Sequence, residues 1–174
     1  MLFTDGLPCP NENGGFSGSV ARKAADITYR QLDYWARTGL VTPTVQDAHG
    51  SGSQRIYSFR DILVLKLVKR LLEAGVNLQQ VRFAVEQLRS HGVQDLAGVT
   101  LMSDGAGIYL CTEGNEIMDL LGRGQGVFGI AVGKVVHEVE SSLLSFEEHR
   151  QAAEQHAAAQ EGEYAARRAQ LKLA

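Results

Sequence analysis

The sequence predicts a mainly α-helical fold with a small β content, divided into a basic N-terminal module and an acidic C-terminal one. Three observations support this. First, Thr28 with Gln31 and Ser58 with Asp61 each set a hydroxyl three residues before an amide or acid, a spacing that closes a helix N-terminus. Second, Gly39, Gly75 and Gly92 stand where helical apolar spacing stops, as C-terminal glycines do. Third, the charge is partitioned. Residues 16–91 carry eleven basic against six acidic side chains and residues 92–174 six against twelve, within a 174-residue chain of net charge −3. That length suits one large domain or two small ones. At 44% apolar residues the chain can fill a core, which excludes a largely disordered protein. Two distant cysteines, Cys9 and Cys111, exclude a disulfide framework and a Cys-rich zinc module. No apolar run is long enough to span a membrane, and the first residues lack a basic run. The expectation is therefore a cytoplasmic protein.

The elements follow in order. Residues 1–15, with Pro8, Pro10, Gly14 and Gly15, read as a flexible tail. A first helix is expected over 17–25 and a second from the Thr28 capping box to Thr38, stopped by Gly39. On the second, Leu32, Trp35 and Ala36 share one side, while Arg30, Asp33, Tyr34 and Arg37 share the other. Residues 41–45 and 54–57 read as a two-stranded hairpin around a turn-rich tip. Ser58 starts a third, largely aliphatic helix to about residue 74, whose Lys66, Lys69, Arg70 and Glu73 read as a solvated face rather than a DNA surface. Asn77 starts a fourth to about residue 89, burying Leu78, Val81, Val85 and Leu88. A module boundary is expected at Ser90-His91-Gly92. Beyond it, 92–146 reads as a small α+β module. Its strands are placed near 99–102, 108–111 and 126–132, a short helix over 115–121, and another helix over 134–146. Residues 147–174, rich in Ala, Gln, Glu and Arg, read as a polar helical or frayed tail.

The order of elements in the basic half carries the chemistry. Two short helices joined by the Asp26-Ile27 turn form a helix-turn-helix, and the hairpin behind them forms a wing. Such a second helix enters the major groove with its N-terminal residues nearest the bases. Thr28, Tyr29, Arg30 and Gln31 would then face DNA, with Tyr34 and Arg37 continuing that face. Arg55 and Tyr57 on the wing would clamp the phosphate backbone. Tyr34 and Tyr57 are also the kind of aromatic that half-buries in a small core, so both readings stand for them.

These residues resemble the winged helix-turn-helix of the MerR family of bacterial transcription regulators. The resemblance is carried by Ala21-Arg22-Lys23-Ala24 and by the run from Ile27 through Arg30-Gln31-Leu32-Asp33-Tyr34-Trp35 to Val41. It continues through Gln54-Arg55-Ile56-Tyr57-Ser58, Asp61-Ile62, and Leu72-Glu73-Ala74-Gly75 on to Val81. It covers residues 16–91, a little under half of the chain, and is similar to actinobacterial members that control growth and cell division. It implies DNA contacts from Thr28, Arg30, Tyr34 and Arg37 on the helix and from Arg55 and Tyr57 on the wing. It also implies a homodimer on an inverted-repeat promoter operator in double-stranded DNA, with RNA polymerase and a small-molecule effector as further partners. Two departures stand out. Family members often carry Arg-Tyr-Tyr-Glu where this chain has Asp33-Tyr34-Trp35-Ala36, so Asp33 faces a base amine, a neighbouring arginine, or nothing. Members also often follow the wing with a long helix that pairs in the dimer. Here the pattern stops near His91, which leaves dimerisation to the acidic module or the tail.

The acidic module is read by analogy as a sensor or dimerisation unit. No metal site, cofactor or catalytic arrangement is expected in it. Cys111 has no ligand partner at suitable spacing, and His149 and His156 lie two helical turns apart. The Gly-rich runs 103–107 and 122–126 read as turns rather than phosphate loops. The reading is a sequence-specific DNA-binding regulator and no enzyme. An architectural, excisionase-like DNA binder and an adaptor that has lost DNA binding remain as alternatives.

Overall fold

The computed structural model describes residues 14–48, 50, 53–89, 96, 98–103, 107–112 and 128–171. The expected tail over 1–13, most of the wing tip, the boundary at 90–92, the 104–106 turn, the helix over 115–121 and the Gly run at 122–126 lie outside them. Helix α1 (Gly18–Ala25) starts on the Ser17 side chain and ends at Asp26, which sits in the left-handed region at φ 56°. Asp tolerates that conformation better than most residues, and it turns the chain sharply into α2 (Tyr29–Arg37). There the expected capping box is complete: Gln31 N–H donates to Thr28 Oγ1 at 3.2 Å and Thr28 N–H to Gln31 Oε1 at 2.9 Å. After α2 the chain folds back, with Leu40 and Val41 N–H both donating to the Trp35 carbonyl at 2.9 and 3.2 Å.

The wing differs from the expected hairpin. Strand β2 (Ile56–Tyr57) pairs antiparallel with β1 (Phe16–Ser17), some forty residues earlier, in the register Phe16 with Tyr57. Among the described residues, a single isolated bridge between Gln46 and Ile56 pairs it with the preceding arm. The reason is local. Pro43 has no N–H to give to a ladder, and the Thr44 N–H is taken by the Asp61 carboxylate at 2.8 Å. That buried carboxylate also accepts from Thr44 Oγ1 and from Ser58 N–H, at 2.8 and 2.9 Å. It thus caps α3 (Phe59–Glu73) and pins the base of the wing at once.

Helix α3 is buried nearly all round, with Ile62, Leu63, Leu65, Leu67 and Val68 at its heart, as a central helix should be. Helix α4 (Leu78–Arg89) covers it with Val81, Ala84, Val85 and Leu88. Leu78, expected in the core, is instead 37% exposed at the first position of α4.

The C-terminal half builds a three-stranded antiparallel sheet in the order β4-β3-β5, from β3 (Thr100–Ser103), β4 (Ile108–Cys111) and β5 (Phe128–Ala131). Directly after β5 begins α5 (Val132–Leu171), a continuous helix of 40 residues. At 1.5 Å per residue it is about 60 Å long. It passes through residue 146 unbroken, so the expected module helix and polar tail are one element. Ala-, Gln- and Glu-rich sequence favours helix without a core, and Arg150 adds i,i+3 and i,i+4 pairs to Glu147 and Glu154.

The two charge modules share one hydrophobic core. Val132, Val135, Val136, Val139 and Leu143 of α5 are buried in the same cluster as Ala21 and Ala24 of α1 and the α3 leucines. Around this seam, Arg70 and Lys66 pair with Glu138 of α5 at 2.6 and 3.5 Å, and Lys69 pairs with Asp26. The cations expected on a solvated face therefore join α3 to its neighbours. Burial would raise the Glu138 carboxyl, but the Arg70 hydrogen bond and the Lys66 charge outweigh it and hold it below its ordinary value. Among the described residues no helix is long and apolar enough to cross a membrane.

Candidate nucleic-acid interface

The Asp26 turn sets α2 across α1 so that Leu32 and Trp35 point into the core while the opposite face stays open. Tyr29 is 71% and Tyr34 48% exposed, unusual for aromatics in a small domain with core to spare. Arg30 stands exposed between them, and among the described residues no ion pair restrains it. These three present one guanidinium and two aromatic hydroxyls on a single helix face, groups able to bond base edges or phosphates.

The other residues expected at DNA are engaged in different ways. Thr28 and Gln31 are tied to each other by the capping box, and the Thr28 hydroxyl also donates to Gln31 Oε1 at 3.0 Å. Arg37 Nε lies 2.9 Å from Asp33 Oδ2, and Arg55 Nη1 lies 2.9 Å from Asp33 Oδ1. Asp47 adds a second carboxylate 3.7 Å from Arg55 Nε. Asp33 thus takes one of the three courses open to it in the sequence, a neighbouring arginine, and in fact bridges two. The hydrogen bond from Arg55 holds its carboxyl below the usual range against the opposing effect of burial. The same contact raises the Arg55 guanidinium.

Tyr57 is not on the surface. Held in β2 between β1 and the Gln46 bridge, it is completely buried, so in this conformation it cannot clamp a phosphate. Its hydroxyl has no hydrogen-bond partner, and burial pushes its pKa up to about 12. Of its two readings, the core aromatic is the one adopted, whereas Tyr34 is exposed.

Between the start of α1, the start of α2 and the wing lies an open cleft of about 700 Å³, lined among others by Ser19, Arg22, Tyr29, Asp33, Gln54 and Arg55. Arg22 and Ser19 are not among the DNA contacts that the sequence leads one to expect. The signal for them is the placement of α1's first turns beside α2, which follows only from the helix-turn-helix crossing. Among the described residues no group of three or more His, Cys, Asp or Glu side chains stands close enough to hold a metal ion. Cys111 is buried.

Comparison with known proteins bears on this face. A family model described as "MerR HTH family regulatory protein" matches residues 16–88, the span from β1 to α4. Two HTH-type transcriptional regulators, from Mycobacterium bovis and Mycobacterium tuberculosis, are each 54% identical to this chain over 167 residues, covering 96% of it and 74% of the relative. The HTH-type transcriptional regulator HmrR of Sinorhizobium medicae is 26% identical over 83 residues, or 47% of this chain and 54% of that protein.

Proposed function

The chain belongs to the MerR family of HTH transcriptional regulators, and from that premise we propose that it binds promoter DNA sequence-specifically as a homodimer, with the start of α2 in the major groove. The observation that carries this reading is the uncovered α2 face, where Tyr29, Arg30 and Tyr34 stand exposed beside the wing. In the assignment we favour, Arg30 reads a base edge, Arg37 and Arg55 meet phosphates, and Thr28 and Gln31 hold the helix start in shape. Tyr57 supports the wing from beneath rather than touching DNA.

The homodimer reading is supported by α5. From Glu148 to Gly162 every side chain is exposed, and the helix runs past the body that its first turns bury against. That stretch buries nothing against the rest of the chain. A second copy alongside it, across the small side chains Ala153 and Ala157, would shelter it. Two copies would present two α2 helices to an inverted-repeat operator. On this reading an effector or RNA polymerase meets the acidic half, and the regulator works in the cytoplasm on the nucleoid. The relatives are named as regulators, which favours no enzymatic role.

The test is selection of duplexes from a random-sequence pool by the wild-type protein and by Arg30→Ala. Arg30→Ala should change which sequences are enriched and weaken binding to the wild-type choice by about 1–3 kcal/mol. Equal losses on selected and random duplexes would remove Arg30 from base reading.

One observation favours a second reading, an interaction adaptor without DNA binding. Asp33 and Asp47 neutralise Arg37 and Arg55 on the very face that would approach phosphates. Salt-dependent binding to any duplex decides against it.

A further inference from the structure

Asp33 is a carboxylate on the face that the DNA reading turns toward phosphates. Its two carboxylate oxygens each hold a different arginine at 2.9 Å, Arg37 one turn on along α2 and Arg55 across the cleft on the wing. Asp47 closes on Arg55 from the other side, at 3.7 Å. Two cations and two carboxylates thus cancel on the face beside Arg30. The Asp33 and Arg55 side chains are 27% and 23% exposed, so the pair is open enough for a competing anion to reach it. Pairs this accessible contribute little to folding, and stability alone gives weak reason for a carboxylate here.

We propose that Asp33 is an intramolecular competitor for phosphate, which ties Arg55 and Arg37 to α2 in the free protein and so holds down sequence-independent DNA binding. The inference rests on the DNA-binding reading above and adds to it how that binding is restrained. The physical basis is direct. Affinity for random duplex comes almost wholly from cations that displace counterions at phosphates. An arginine already paired to a carboxylate must give up that pair before it can meet a phosphate. The carboxylate left behind then repels the same phosphate. Base contact from Arg30, which no carboxylate among the described residues pairs with, does not pass through Asp33, so only the charge-driven part is restrained.

Binding of the full chain to a random-sequence duplex, measured over a series of salt concentrations, tests this. Asp33→Asn keeps the shape and removes the charge. It should tighten random binding about tenfold at low salt, because Arg55 and Arg37 no longer give up a carboxylate to meet phosphate, and steepen the salt dependence by less than about one unit of slope, since both already contribute to it in wild type. Asp33→Glu keeps the charge and should stay at the wild-type level. In an Arg55→Ala background most of the Asp33→Asn gain should vanish, because the competitor then lacks its main quarry. A general loss of negative charge would give the same gain in both backgrounds, and that outcome overturns the proposal. So does an Asp33→Asn protein that melts like wild type and binds random duplex no tighter, while wild type binds in a salt-dependent way. If wild type shows no salt-dependent duplex binding at all, the DNA reading itself fails and the proposal falls with it.

Discussion

Val136→Asp is expected to unfold α1, α2 and α3 together with the long helix it lies on. Val136 is 1% exposed and belongs to the single core that includes α1 and α3. A carboxylate placed there has no partner, and an uncompensated buried charge costs about 3–5 kcal/mol. That is a large part of the 5–15 kcal/mol or so by which domains are stable. Trp35, the chain's one tryptophan, is buried on α2 and reports on the N-terminal half. In urea, both the Trp35 emission shift and the loss of helical circular dichroism should move to lower concentration together. A Trp35 transition left where wild type has it would mean that residues 16–91 fold without α5.

Arg55→Ala should weaken binding to every duplex, selected or random, and flatten the salt dependence by about one unit of slope. The loss has two sources. A wing cation is removed, and Asp33, released from Arg55, then meets the backbone with its charge only half balanced by Arg37. We expect about a tenfold loss in affinity at low salt. Isotherms collected over a salt series on both duplexes check it. An unchanged slope would take Arg55 off the phosphate backbone. Little change in folding should accompany the loss, since the Arg55 side chain is still partly in solvent and its pairs are open to screening.

What the sequence made legible was local. The capping boxes at Thr28 and Ser58, the Asp26 turn and the open face of α2 all follow from spacings of three or four residues, and each is found in the structure. What it hid were pairings between distant segments. Nothing near Tyr57 announces that its strand partner is Phe16, so the sequence points to a wing contact where the structure has a core aromatic. Lys66 and Arg70 look like a solvated stripe until Glu138, 68 residues beyond Arg70, is brought beside them. The full length of α5 escaped because its apolar period ends near Phe146, while its helical propensity and Arg150 pairs do not. The charge split between the halves is plain in the sequence, yet it does not divide the core, which apolar side chains from both halves fill. Asp33 shows the same limit at the site. Its i,i+4 partner Arg37 was within reach of pattern reasoning, and its partner across the cleft was not.

The central claim is that the α2 face and the wing read DNA. It is tested most directly by titrating the wild-type protein, over a series of salt concentrations, against a duplex that it has itself enriched from a random pool and against random duplex of equal length. Log affinity should fall linearly with log salt on both, with a clear preference for the enriched duplex that persists as salt rises, since base contacts are not screened away. Failure to enrich any sequence, or binding that does not respond to salt, would contradict it.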